Sequence, residues 1–160
     1  MTPLRLTPVL GALVLAACAS TPRDLNDDLV VRGKRIGEIQ IGMSLASLLA
    51  VQGRPVRTAP IPDTRATTYT FSNGLTVGAD EKVYWIIADD SRFHTVEGIR
   101  PGADQIVARA TLGKPRCVES RSETTMYDYG DIYFEAGNHD GRLMRVGVIA
   151  HDRPCTSPGG

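Results

Sequence analysis

Apolar and polar positions alternate along much of this chain in short runs, and turn residues separate the runs. Thr67-Thr-Tyr-Thr-Phe71 sets Tyr69 and Phe71 on one side, Ser72-Asn73-Gly74 makes a hairpin turn, and Leu75-Thr-Val77 returns. Ala79-Asp80-Glu81 turns again into a third strand over 82–88. The order recurs further on. A strand over 124–129 puts Tyr127 and Tyr129 on one side, Gly130-Asp131 turns, a strand runs from Ile132 through Glu135, and Asn138-His-Asp-Gly141 turns into a last strand over 142–150. Residues 57–66 carry Pro60 and Pro62 and read as loop, while 35–41 alternates weakly and reads as a first strand.

In two places the pattern becomes helical. Ile39–Pro55 and Ile99–Pro115 align without a gap at an offset of 60 (99 − 39), with identities at Ile39/Ile99, Gly42/Gly102, Ala50/Ala110, Gly53/Gly113 and Pro55/Pro115. A fixed offset is the mark of a duplicated supersecondary unit. Each copy predicts a helix of about two turns. Ser44 and Asp104 are placed to accept from the first free amides, Gly53 and Gly113 fall at the C-terminal cap, and a proline follows. Leu45, Leu48 and Leu49 form the inner face of the first helix, and Ile106, Val107 and Ala110 that of the second. The expected class is α+β: two tandem repeats, residues 35–92 and 93–151, each a helix plus a three-stranded meander. Together they make an antiparallel sheet with short helices on one face.

The duplicate also predicts which sheet face stays open. Met144, Val146, Val148 and Ala150 are the apolar side of the last strand, and the offset makes Tyr84, Ile86 and Ala88 their inward partners. Val83, Trp85 and Ile87 then face away from the helices, Ile132 and Phe134 point in, and Tyr133 points out. The open face presents Trp85, Tyr133 and Arg145, residue types that dominate binding hot spots. The rival reading buries Trp85 against the loop Arg92-Phe-His94, since tryptophan is mostly buried in folded proteins.

Composition narrows the address more than the activity. Lysine plus arginine and aspartate plus glutamate both number 18, which argues against a nucleic-acid surface or a polybasic membrane patch. Arg5 precedes the apolar run Val9–Ala17, too short to span a bilayer, which ends in Leu15-Ala16-Ala17-Cys18. That ending resembles the bacterial lipobox. The resemblance implies a signal peptide over 1–17, a lipid on Cys18, and outer-membrane localisation on the periplasmic side in a Gram-negative cell, or the cell surface otherwise. An ordinary secretory signal is the alternative. Residues 18–34 lack an apolar period and read as a lipidated flexible tether, with 152–160 a tail. Export would leave Cys117 and Cys155 in an oxidising compartment. A bond between them closes a loop of nearly forty residues, worth about 3–4 kcal/mol in the chain-entropy description. Two free thiols or metal ligands are the alternatives.

Ile-x-x-Gly, a capped short helix, Gly-[Arg/Lys]-Pro and a meander together resemble the SmpA/BamE-type lipoprotein domain of outer-membrane assembly. Two such units in tandem are similar in layout to the β-lactamase inhibitory protein. The resemblance covers about residues 35–150 and implies a non-catalytic protein-binding or assembly module whose partner is an envelope protein. An inhibitor of a periplasmic or extracellular enzyme is the first alternative. A small metal-dependent hydrolase built on Asp89, Asp90 and His94 is the second. His94, His139 and His151 show no i,i+4 pairing, no Gly-x-Ser-x-Gly elbow or phosphate loop occurs, and no catalytic residue, metal or cofactor is expected.

Overall fold

The structure, a computed structural model, describes residues 27–150. It is an α+β fold of two antiparallel sheets and two short helices. A small sheet has the order β1-β2-β3, from β1 (Val30–Val31), β2 (Arg35–Ile36) and β3 (Ile39–Gln40). Helix α1 (Leu45–Gln52) follows, then β4 (Arg57–Pro60), β5 (Thr67–Thr70), β6 (Leu75–Ala79) and β7 (Val83–Ala88). Helix α2 (Gln105–Leu112) is followed by β8 (Cys117–Ser120), β9 (Thr124–Asp128), β10 (Ile132–Gly137) and β11 (Leu143–Ile149). These eight strands form one antiparallel sheet of order β4-β5-β6-β7-β11-β10-β9-β8. The two later strands of each set therefore meet at its centre, with Val146 opposite Ala88 and Val148 opposite Ile86.

The helix ends behave as their caps require. Ser44 accepts from the Ser47 amide at 3.1 Å, and Asp104 Oδ1 accepts from the Ile106 amide at 2.9 Å. Gly53 and Gly113 close the helices at φ of 74° and 77°, where a side chain would be strained. Each helix is then tied to the sheet through its leading turn. The Gly42 amide donates to the Val83 carbonyl and the Gly102 amide to Leu143; Leu45 donates to Glu81 and Gln105 to Gly141. Leu48 and Ala108 seal the cluster made by Val77, Ile86, Phe134, Val146 and Val148, so both helices cover the same face of the large sheet. The predicted inner face of α2 is corrected here. Ala108 is buried, and Ile106, Val107 and Ala110 are exposed, because the cap at Asp104 turns Ala108 to the place Leu48 holds in α1.

Further corrections concern the strands. Each helix is followed by four strands and not three, since residues 57–60, read as loop, pair with β5 as edge strand β4. Residues 35–41 form a hairpin of β2 and β3, and part of the stretch read as tether is folded, because β1 lies within it and Val30 is buried. The predicted alternation also fails at the start of both central strands. Register shifts at Gly78/Ala79 and Glu135/Ala136 leave Tyr84 and Met144 outside the pairing. Each β-bulge turns the preceding side chain to the other face. Val83 and Leu143, expected outside, are therefore buried, whereas Met144, expected in the core, is 49% exposed and Tyr84 is half-buried.

Candidate functional site

The face of the large sheet opposite the helices is concave, and its lining builds up from the strand register. On β7 and β11 the outward positions are Trp85, Ile87, Gly147 and Ile149, with Trp85 opposite Ile149 and Ile87 opposite Gly147. On β6 and β10 their neighbours are Gly78 beside Trp85, Tyr133 beside Gly147, and Glu135 beside Arg145. Pro60, Ile61, Pro62 and Thr64 close one corner, and Arg121 and Met126 lie towards the opposite one. The result is a groove of about 610 Å³ in which Trp85, Tyr133 and Arg145 all take part.

Two glycines fix the two rings. A Cβ on Gly78 would lie 2.1 Å from Trp85 Cε2, and one on Gly147 would lie 2.3 Å from Tyr133 Cζ. Each ring therefore lies flat over the backbone of its cross-strand partner, using space that any other residue would fill. Tyr84, displaced by the bulge, stands edge-on to Trp85, with ring centres 6.2 Å apart. Burial pushes its phenol above the ordinary tyrosine range, against a smaller opposing effect of its hydrogen bond with Trp85. At the other end Arg145 Nη1 meets Glu135 Oε2 at 3.3 Å, while Thr124 Oγ1 donates to Glu135 Oε1 at 2.8 Å. Arg121 pairs with Glu119 at 3.3 Å. The groove thus has an aromatic, proline-edged end and a charged end whose ions are already partnered.

Trp85, Tyr133 and Arg145 are thus brought to one surface, as the alternation predicted. Trp85 is not buried against the 92–94 loop, whose Phe93 belongs to the core on the helix side. Arg92 instead places its guanidinium 4.6 Å from the Phe93 ring centre. The groove residues that periodicity did not single out are Tyr84, Met126, Glu135 and the Pro60–Thr64 corner. Gly78 facing Trp85 was the available signal, since a strand glycine marks a close approach. Asp89, Asp90 and His94 do not line the groove. Both acids are exposed beside the Gly74 turn, and His94 Nδ1 lies 2.8 Å from the Arg92 carbonyl oxygen. Among the described residues no group of three or more His, Cys, Asp or Glu side chains could hold a metal, and no helix is long and apolar enough to cross a membrane.

Cys117 opens β8, half-buried, and is not a free thiol. Cys18 and Cys155 lie outside the described residues, as do the signal segment and the tail.

No family model matches the sequence, and no curated protein does either. Among solved structures, an extracellular protein containing an SCP domain from Bacillus anthracis is similar at a TM-score of 0.51 and 14% identity, over 75% of this chain and 49% of that one. A cysteine-rich secretory protein from Staphylococcus aureus matches at 0.48 and 15%, over 68% and 44%. A DUF4309 family protein from Bacillus subtilis matches at 0.49 and 20%, over 74% and 88%. The chain spans less than half the length of the first two of these proteins. At such identities the likeness is one of fold alone.

Proposed function

We propose that this protein is a lipid-anchored envelope lipoprotein that acts as a non-catalytic protein-binding or assembly module. The lipid sits on Cys18 and the working surface is the concave sheet face. The observation that carries the reading is the gathering of Trp85, Tyr133 and Arg145 in one groove on the face the helices leave uncovered. Rigid aromatic rings beside an arginine supply large contact area at low entropic cost, as binding surfaces require. The lipobox-like segment supports the anchor and an outer-membrane address on the periplasmic side in a Gram-negative cell.

A tandem origin for the two sets of elements is part of the same proposal. It is supported by contacts that recur sixty residues apart: Gly42 to Val83 against Gly102 to Leu143, and Val83 to Met43 against Leu143 to Ala103. The second reading, an inhibitor of a periplasmic or extracellular enzyme, is supported by this layout, since two such units in tandem are similar in layout to the β-lactamase inhibitory protein.

Photo-crosslinking in intact membranes separates these possibilities. A crosslinker at Trp85 or Tyr133 should give an adduct with one envelope protein, and a crosslinker at Ala46 on the helix side should not. A secreted enzyme in the adduct, with one-to-one inhibition of it, would favour the second reading. Adducts from Ala46 alone would end both.

A further inference from the structure

We infer that the groove takes an extended acidic peptide segment, an inference that rests on the reading of this face as a protein-binding surface. One aromatic side chain of the segment stacks on Trp85. A carboxylate about four residues along the segment meets Arg145 and Arg121.

The first end of the groove is apolar. Trp85 lies with one face on Gly78, where an added Cβ would be 2.1 Å from the ring, so its other face is the one a partner meets. Tyr84 stands edge-on to it, and Ile87, Ile149 and Pro62 surround it. A sugar laid there would turn hydroxyls towards three side chains that cannot bond them, which costs desolvation. An aromatic side chain buries its ring against the same residues without that cost.

The second end selects a charge. Arg145 is 49% exposed and its partner Glu135 only 17%. Both oxygens of Glu135 are engaged, one by Thr124 Oγ1 at 2.8 Å and the other by Arg145 at 3.3 Å. The guanidinium has five N–H donors and keeps most of them for a further acceptor. Arg121 repeats the arrangement, 53% exposed against 35% for Glu119. What this end shows to a partner is therefore positive, and a carboxylate complements it.

The strand register sets the spacing. Trp85 is opposite Ile149, and Arg145 lies four positions earlier on β11, on the same face and opposite Glu135. One strand spacing and four residues of shift separate them by roughly 14 Å. Extended chain covers that distance in about four residues. The floor between the two ends is low, with Ile87 opposite Gly147 and the Tyr133 ring lying over the glycine, so a backbone can cross it.

The test measures binding of fluorescein-labelled peptides to the full chain in detergent by anisotropy. Each peptide is built of serine and threonine and carries one phenylalanine and one aspartate at increasing separations. Affinity should peak at a separation of about four residues. Asparagine in place of the aspartate should weaken that peptide about three- to fivefold at low salt, and lysine should weaken it more. The double variant Arg145→Gln/Arg121→Gln should erase the difference between aspartate and asparagine, with its dichroism unchanged. Trp85→Leu should instead erase the difference between phenylalanine and serine. Equal affinity for aspartate and lysine peptides, an aspartate preference that survives the double variant, no optimum in separation, or no binding below about 1 mM would each overturn the inference. Binding of chitohexaose in the peptides' place would overturn it as well. A Trp85 crosslink to one envelope protein, found together with any of these results, leaves the protein-binding reading standing without the acidic peptide. Loss of that adduct too removes both.

Discussion

The strands after α1 and those after α2 make nearly the same core and quite different outer faces. Inward, Val83 matches Leu143, Ile86 matches Val146 and Ala88 matches Val148: apolar for apolar at equal offsets. Outward, the pair Gly78–Trp85 in the first set corresponds to Glu135–Arg145 in the second, and Thr76–Ile87 corresponds to Tyr133–Gly147. Close packing restrains the inner positions, because a change of one methylene there is felt. Nothing comparable restrains the outer ones, and they form an aromatic end and a charged end of a single groove. The difference teaches that the sheet offers one asymmetric surface and not two equivalent sites.

The strongest way to break this comparison is through the bulges. Leu143→Ala should cost about 2–5 kcal/mol in urea unfolding, whereas Met144→Ala should change stability by less than about 0.5 kcal/mol. The reverse order would restore the simple alternation. Next come the glycines beneath the rings. Gly78→Val and Gly147→Val should each cost about 1–3 kcal/mol by forcing a ring aside, and each should weaken crosslinking from its own end of the groove. Removing Arg145 should cost far less, about 0.2–1 kcal/mol and less in high salt, as for any exposed ion pair.

The smallest effect is alkaline. Burial holds the phenols of Tyr84 and Tyr129 above their ordinary range. Raised folded-state values mean that their contribution is complete below the unfolded tyrosine pKa. It is lost as pH rises through the folded one. Tyr84→Phe and Tyr129→Phe should each flatten the fall in stability above pH of about 10. A profile unchanged by either variant would mean the rings are as hydrated as in the unfolded chain.

Much of the frame was legible because helix caps and turns are chemically explicit. Ser44, Asp104, Gly53 and Gly113 mark their helix ends in sequence and do so in the structure. The outward placement of Trp85, Tyr133 and Arg145 was legible too, since alternation holds from the bulge onwards. What escaped was set by longer-range physics. Strand β4 ends in Pro60 and lies at a sheet edge, where a proline leaves no central ladder donor missing, so its composition reads as loop. The bulges insert one residue into a period of two, and no local preference at Tyr84 or Met144 announces that. For α2, apolar content pointed to Ile106 and Val107, but the Asp104 cap and the ties to Gly141 and Leu143 turn small Ala108 inward.

Trp85 is the sole tryptophan of the chain, and it lies on the groove with Tyr84 edge-on beside it. Its indole emission therefore comes from that one spot, without background from elsewhere in the fold. Exciting the tyrosines would feed it from its nearest neighbour. Whatever settles on that surface should thus change a native optical signal, and a titration needs no attached dye.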